Sequence, residues 1–594
     1  MPDAPIRLGP FVLTEPLGEG GMGEVWAGEH ANLKLPVAVK VVRGQRRNDP
    51  AYQRAFRTEV RAVAALDHPH VVRVYDTDRV PTAAAKASGG RLEAGAMYLV
   101  MERLAGDLSD QLEHLDWRRF RDITRALLRG LAHAHARGVL HRDLKPANVL
   151  VDRQRVVKIT DFGLAQLERL DEAPEAAGTP TYMAPEQLFG RWREAGPWTD
   201  LYALGNVCWE MATGGPPFGV LTLREAVRTH AVVPLPSLVP RIAVPSGLEP
   251  WLRRLLCKDP HERFQRCADA LLALEDVDRV RAWVQPGGIG HAGINPEDAP
   301  TELTRDEEAT AGGTEVLDDE EEDLPDATTW PVVFTSAAPV ATLRPAMPPA
   351  PPPSVPTSPP LLGAGMGLVA QRRPPVVGRD GEQALLWQSL VDVDRRGHAW
   401  GMVLRGGAGL GKTRLAEWLQ ELAHEQGVAH AWRADHGTQR SPIAALIAQV
   451  LDAEGLSGAA LRDHLHERLQ VLGLLDDLDP LHQLLDPRPE EPAPAGRQLF
   501  ALFEHLLAHR VQDRPLVLLL DDAALHQESL QLARYLVRGP GRRHPVLVLI
   551  TADDEVLSEV PPARQGLADL QADTSISPET RAEEAAWVAK TFGG

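Results

Sequence analysis

The 594-residue sequence predicts two folded units of mixed α and β structure joined by an extended tether. Texture is the first observation: apolar runs alternate with polar breaks over residues 8–280 and again over 374–594, while 281–373 are acidic and then proline-rich. The second is order. In the first unit short strand patterns come before helical ones, an α+β arrangement, whereas the second opens with a continuous apolar strand, a glycine-rich loop and a helix, the order that builds an α/β parallel sheet. Length agrees, since roughly 150 residues per domain leaves room for more than one unit.

The net charge of -19 is not spread evenly. Between Glu297 and Asp326, 14 acids stand against one base, Arg305, so the remainder of the chain is close to neutral. Nine prolines follow between Ala341 and Pro360. Charge repulsion and polyproline geometry both keep such a segment extended, and the expectation is a disordered linker. Nothing in this balance suits a nucleic-acid backbone, so no nucleic-acid partner is expected. Cys208, Cys257 and Cys267 form no CxxC pair, which fits reduced thiols in the cytoplasm. MPDAPIRLGP lacks the basic head and apolar core of a leader, and no segment offers the roughly 18 uncharged apolar residues of a membrane span.

Between FVLTEPL and VWAG, both short enough to be strands, LGEGGMGEV sets Gly18, Gly20 and Gly23 in a loop whose bare amides can close over phosphates. Dinucleotide-binding folds share the GxGxxG spelling, but they need a helix directly after the loop, and a strand pattern follows here. PVAVKVV then alternates as a strand, turning Lys40 away from Val39 and Val41 so that its ammonium reaches a cleft. Phe56, Val60, Val63 and Ala64 recur at helical spacing, and Glu59, the single acid between Tyr52 and Leu66, is placed to pair with Lys40.

Further on, Ile123, Leu127 and Leu131 mark a helix, and HRDLKPANVL follows it. VLV and VVKI flank the turn DRQR as a hairpin, which brings Asn148 and Asp161 together. An amide and a carboxylate side by side are oxygen donors suited to a magnesium ion carrying ATP phosphates. Asp143, on the loop before the hairpin, can accept the proton of an attacking hydroxyl.

With LGEGGMGEV, VAVK, a helix glutamate, HRDLKPAN, DFG and APE in this order, the first 280 or so residues resemble the eukaryotic-type serine/threonine protein kinases of bacteria. The resemblance implies the two-lobed protein kinase fold and transfer of the ATP γ-phosphate to protein Ser and Thr hydroxyls, with protein substrates as partners. It implies that Leu17, Gly18, Glu19, Gly20, Gly21, Met22, Gly23, Glu24 and Val25 cover the nucleotide, that Ala38 lines the adenine pocket with Met101 at its back, and that Lys40 holds the phosphates while paired to Glu59. It further implies Asp143 as catalytic base, Lys145 steadying the transferred group, and Asn148 with Asp161 holding Mg2+. A lysine two places after the base is the serine/threonine spelling. Glu186 and Arg263 are implied as a buried structural pair, and His68 and His141 as packing residues.

Two departures stand out. TDRVPTAAAKASGGRLEAGA, between Asp76 and Met97, is longer than an ordinary strand connection and reads as an inserted surface loop. Leu164 to Ala177 contains no Ser, Thr or Tyr but does contain Glu168, Asp171, Glu172 and Glu175. A carboxylate can accept from a guanidinium as phosphate does, so an acid there is expected to replace the loop phosphate facing Arg142, with Thr179 the competing phosphosite. Thr181 matches the threonine that family members turn toward the catalytic loop.

Beyond the tether, Gly406 to Thr413 fits G-x-x-x-x-G-K-[ST] between an apolar strand and a helix with Leu415, Trp418, Leu419 and Leu422 on one side. In that frame Gly406, Gly411 and the helix start cradle phosphates, Lys412 meets the outer ones and Thr413 ligates magnesium. The strand before Asp521 and Asp522 supplies a second metal ligand, the acid Asp521. This region resembles the P-loop signal-transduction ATPases. It departs from them in AALHQ after the acids and in the 40 residues left after VLVLITADD, too few for the domains that usually complete the switch. ATP or GTP binding is expected there. The whole reads as a cytoplasmic signalling kinase with a nucleotide-binding module, the rival being a P-loop switch or scaffold that the kinase only tunes. Thr301, Thr304, Thr310 and Thr314 are candidate autophosphorylation sites for a phosphothreonine-reading partner.

Overall fold

A computed structural model describes residues 5–20, 23–42, 50–162, 180–280, 282–288, 344–352, 376, 379–434, 441–487, 494–523, 526–560, 565 and 567. Six strands open the chain: β1 (Arg7–Leu8), β2 (Phe11–Gly20), β3 (Gly23–His30), β4 (Pro36–Val42), β5 (Val74–Arg79) and β6 (Met97–Glu102). They form one antiparallel sheet in the order β1-β2-β3-β4-β6-β5, and helix α1 (Pro50–Ala64) lies against one face. Phe56, Val60, Val63 and Ala64 are buried there, as their spacing predicts.

The opposite face is also covered. Inside the Asp76–Met97 insertion lies helix α2 (Thr82–Ala87), and Val80, Ala84, Leu92 and Ala96 join Leu8, Phe11, Trp26, Val39, Tyr98 and Val100 in one apolar cluster. The insertion is therefore packed structure and not a surface loop. Its four apolar anchors are spread through an Ala- and Gly-rich text with no single period, which is why the pattern did not announce them.

Helix α3 (Trp117–His135), capped by Asp116 through the Arg119 amide at 2.7 Å, runs through the second lobe. The hairpin expected after it forms: β8 (Val149–Val151) pairs with β9 (Val157–Ile159), and β7 (Gly106–Asp107) flanks β8. The short helix α4 (Pro185–Leu188) and then α5 (Pro197–Thr213), buried from Thr199 through Trp209, form the lobe's centre. A helix apolar on all sides has to be wrapped, and α6 (Leu223–Val232), α7 (Leu248–Leu255) and α8 (Cys267–Asp278) follow it in the chain. The last strand of this unit, β11 (Trp283–Val284), pairs with β10 (Val244–Pro245).

In the C-terminal unit helix α9 (Asp380–Arg396) precedes β12 (Trp400–Gly406), α10 (Lys412–Glu425) and β13 (His430–Ala434); β14 (Leu516–Leu520) and β15 (Val546–Asp553) complete an all-parallel sheet in the order β12-β15-β14-β13. Alternation places Leu516, Leu518 and Leu520 in one apolar cluster and Val517 and Leu519 in another, so helices cover both faces. Most of 281–373 falls outside the described residues. Arg344–Pro352 lies along α9, with Arg344 paired to Asp394 and the Trp387 indole donating to the Pro348 carbonyl at 2.9 Å. Among the described residues no helix is long and apolar enough to cross a membrane.

Candidate active site and P-loop

The β2–β3 hairpin brings the glycine loop over the cleft. Gly23 has φ +141, and a Cβ there would stand 1.9 Å from the Val41 carbonyl oxygen, so no other residue fits. Gly21 and Met22 lie outside the described residues, as does the whole Leu164–Thr179 segment with its four acids. Leu17 and Gly18 are exposed at the rim, Val25 and Ala38 pack inside, and Glu19 and Gly20 close β2. Glu24 differs from expectation in one respect. Its carboxylate accepts from the Trp26 indole at 3.0 Å and stands 3.7 Å from Arg91, on the outer face, which leaves only its backbone for a nucleotide.

Lys40, buried in β4, holds the Asp161 carboxylate at 2.9 Å. For Glu59, half-buried on α1, burial raises the carboxyl above its ordinary range and Arg142 acts against this. Asp143 and Lys145 are 2.8 Å apart, and the Asn148 amide donates to the Asp143 carbonyl at 2.7 Å and to its carboxylate at 3.1 Å. With its NH2 engaged, the Asn148 amide oxygen remains for a cation beside Asp161, so this donor set fits Mg2+. Asp161 and Arg142 both sit in the left-handed region, φ 63 and 66, backbone strain of the kind held at working sites. Behind them Met101 and Phe162 line a pocket with Val60, Val72 and Leu99.

The loop's scaffold includes a residue that sequence reasoning missed. Asp200, on α5 and fully buried, accepts from the His141 and Arg142 amides at 2.8 and 2.7 Å and from His135 at 2.7 Å. Against the cost of burial, His135 and His141 hold its carboxyl below the usual range. Glu186 and Arg263 meet in a two-fold pair at 2.8 and 3.0 Å, both out of solvent, as the resemblance implies. His68 and His141 are packing residues against His133 and Phe162. The Thr181 hydroxyl accepts from the Leu221 amide and is not turned to the catalytic loop by any hydrogen bond among the described residues.

At the second site β12 runs into the loop and α10 begins at Lys412, with Gly406, Gly409 and Gly411 at positive φ. Lys412 donates to the Gly406 and Gly407 carbonyls, each at 2.8 Å, and lies 3.7 Å from Asp553. One Asp521 oxygen accepts from Thr413 at 2.8 Å and from Thr551 at 2.6 Å, while the other accepts from Arg433 at 2.9 Å. A carboxylate and a hydroxyl on one side of a phosphate cradle suit Mg2+. Nothing in the sequence marks Arg433 for this role, and only the position of Thr551 at the end of VLVLIT hints at its own. Burial, and then Asp521, raise the Asp522 carboxyl.

Comparison with known proteins finds a domain match in each unit. Residues 11–273 match the protein kinase domain, and residues 375–549 match the AAA ATPase domain. Serine/threonine-protein kinase Pkn1 of Myxococcus xanthus is 36% identical over 318 residues, covering 50% of this chain and 43% of that protein. Serine/threonine-protein kinase PknB of Mycobacterium leprae is 31% identical over 324 residues, 51% of this chain and 50% of that protein. The chain thus spans half or less of the length of these relatives. Among solved structures, the PknI kinase domain of Mycobacterium tuberculosis is 24% identical, covering 46% of this chain and 98% of that one with a TM-score of 0.35.

Proposed function

We propose, from the premise that this chain joins a protein kinase domain of the bacterial serine/threonine type to an AAA ATPase domain, that it transfers the γ-phosphate of ATP to Ser and Thr hydroxyls of protein substrates. What carries the reading is the Asp143 carboxylate, steadied by Lys145 at 2.8 Å and Asn148 at 3.1 Å, next to an Asp161 already held by Lys40. Asp143 takes the proton of the attacking hydroxyl, Lys145 steadies the moving phosphoryl group, and Lys40, paired with Glu59 when ATP is bound, positions the outer phosphates. Leu17 to Val25 close over the nucleotide, and Ala38 and Met101 shape the adenine pocket. Mg2+, held by Asn148 and Asp161, supplies charge neutralisation between the phosphates.

The second module binds ATP or GTP in our reading, through Gly406, Gly411, Lys412, Thr413 and Asp521. We place the kinase unit at residues 8–280 with the β11 strand (Trp283–Val284) at its end, the tether at 281–373 with Arg344–Pro352 packed on α9, and the P-loop unit at 374–594, in the cytoplasm, where the three free thiols stay reduced. Acids between Leu164 and Ala177 stand in for a loop phosphate, and the threonines at 301, 304, 310 and 314 are modified for a phosphothreonine-reading partner. Labelled ATP with generic protein substrates tests the core of this: Asp143→Asn and Lys40→Ala have to abolish protein labelling, and retained labelling in either rejects it.

A further inference from the structure

The two units touch, and they do so through charged side chains that are buried or half-buried. Helix α10, whose first residue is the P-loop lysine, lays its last turns on the C-terminal end of α3 in the kinase unit. Arg137, just past α3, reaches Glu421 at 3.0 Å and Glu425 at 3.4 Å, and the His133 ring meets Glu425 at 3.3 Å. Glu421 also accepts from Arg414 at 3.2 Å, the residue following Thr413. One carboxylate thus links the phosphate end of the helix to the kinase.

A second seam lies where α10 turns into β13. Arg266 donates to the Ala429 carbonyl at 2.7 Å and meets the His430 ring, while Arg514 donates to the Gly427 carbonyl at 2.7 Å and to Asp269 at 3.2 Å. A Cβ on Gly427 would stand 2.6 Å from the Cβ of Ala268, and its φ of +68 disfavours any other residue. Burying guanidinium groups this way is costly unless each finds partners, so the seam exists only when the two surfaces match.

The second seam continues to the catalytic loop, and the first bears on α3, the helix that leads into it. Cys267, beside Arg266, contacts one nitrogen of the His135 ring at 3.4 Å, and the other nitrogen holds Asp200 at 2.7 Å. Asp200 in turn carries the His141 and Arg142 amides. From the other end, β13 carries Arg433 to Asp521, and α10 carries Thr413 to the same acid.

We infer that the P-loop unit is a docked activator of the kinase: nucleotide phosphates at Lys412 and Thr413 fix α10, and α10, pressed on α3, with the turn after it pressed on the start of α8, supports the loop that carries Asp143. Arg137, His133 and Arg266 are then positioning residues, since they act on the catalytic loop indirectly, the first two through α3 and the third by way of Cys267, His135 and Asp200. The inference rests on the kinase reading above, and it adds that the second site sets the rate of the first. Allosteric coupling of binding is also reciprocal, so each site's occupancy has to alter the affinity of the other.

The test uses the full chain. Protein labelling at saturating ATP is measured for the parent, Lys412→Ala, Arg137→Ala and the double variant, with Asp143→Asn as the zero. Lys412→Ala is expected to lower kcat about fivefold or more, the usual lower reach of such coupling, and to have no further effect once Arg137 is gone. In Lys40→Ala protein, compared with the same protein carrying Lys412→Ala to isolate binding at the P-loop, a fluorescent ATP or GTP analogue is expected to bind the P-loop several-fold more weakly when Arg137→Ala is added. If the parent itself fails to label, the kinase reading falls. If the parent labels but Lys412→Ala is unchanged or faster, if the Lys412→Ala loss is as large without Arg137, or if the analogue does not bind, the inference is overturned.

Discussion

The Arg91 guanidinium lies over the Trp26 ring, 5.1 Å from its centroid, and 3.7 Å from Glu24, which accepts from the same indole. Arg91 belongs to the insertion and the other two to β3, directly after the glycine loop. The insertion therefore braces the strand from which that loop springs. Half of the Arg91 side chain is exposed, so the contact contributes about 0.5–1 kcal/mol. Arg91→Ala is expected to raise KM for ATP roughly two- to fivefold with kcat nearly unchanged, which corresponds to about that energy. Steady-state kinetics decide it; a fall in kcat at constant KM contradicts the brace.

Asp143→Asn keeps the shape of the loop, because Asn148 still has the backbone carbonyl to bond at 2.7 Å. It removes the proton acceptor. Phosphoryl transfer is expected to drop by about 10²–10⁴, the range of general-base catalysis, while thermal stability stays at the parent value. A parallel fall in melting temperature shows that the loss is one of folding.

Arg263 and Glu186 form a pair that no water reaches, and Arg263 also stacks on Tyr202 at 4.7 Å. Removing one partner strands the other charge inside the lobe, a cost of about 3–5 kcal/mol. Arg263→Ala is expected to unfold the kinase unit many degrees lower in a thermal melt. The replacement Arg263→Lys restores charge but not the two-fold geometry, and is expected to recover only part.

Lys40, Asp143, Asn148 and Asp161 were legible because each sits in a short run whose neighbours fix its strand or loop, and Gly406 to Thr413 likewise. Asp200 was not. It is an acid near the start of the mostly apolar α5, and its partners, two backbone amides and the His135 ring, lie 58 to 65 residues earlier in the chain. Thr551 and Arg433 escaped for the same reason, being single residues on separate strands that meet only when the parallel sheet forms. The insertion carries no helical or strand signal because Val80, Ala84, Leu92 and Ala96 have no common period, and only the apolar outer face of the sheet gives them a place. Local motifs carry the chemistry into view; the supports come from the far side of the fold.

Thr551 donates to Asp521 at 2.6 Å and accepts from the Asp522 amide at 2.8 Å, with no exposure to solvent. Thr551→Val keeps the volume but strands an amide and loosens the metal-side acid, costing about 1–3 kcal/mol. Nucleotide affinity at the P-loop, read by a fluorescent analogue in Lys40→Ala protein, is expected to fall and its dependence on Mg2+ to weaken. Unchanged affinity at every Mg2+ concentration rejects a role for Thr551 in holding Asp521.

The last expectation concerns acid. Burial, then His133, pushes the His68 ring down to about 3, and burial, then Lys258, does the same for His230. His424 and His430, at the seam between the units, are also lowered well below the ordinary value by burial and Arg266. In each case the unfolded chain takes up a proton below pH 6.5 while the folded ring stays neutral. Stability is then full above that pH and falls as the pH drops from 6.5 toward 3, with each ring adding up to about 1.4 kcal/mol per pH unit. Glu425 works in the same direction: against burial, His133 and Arg137 hold its carboxyl below the ordinary range, so acid also removes a contact of α10 with α3. Melting temperature is expected to decline steadily between pH 7 and pH 5, and His68→Asn to make that decline shallower. A melting temperature that holds level or climbs over this interval removes the argument from buried neutral rings.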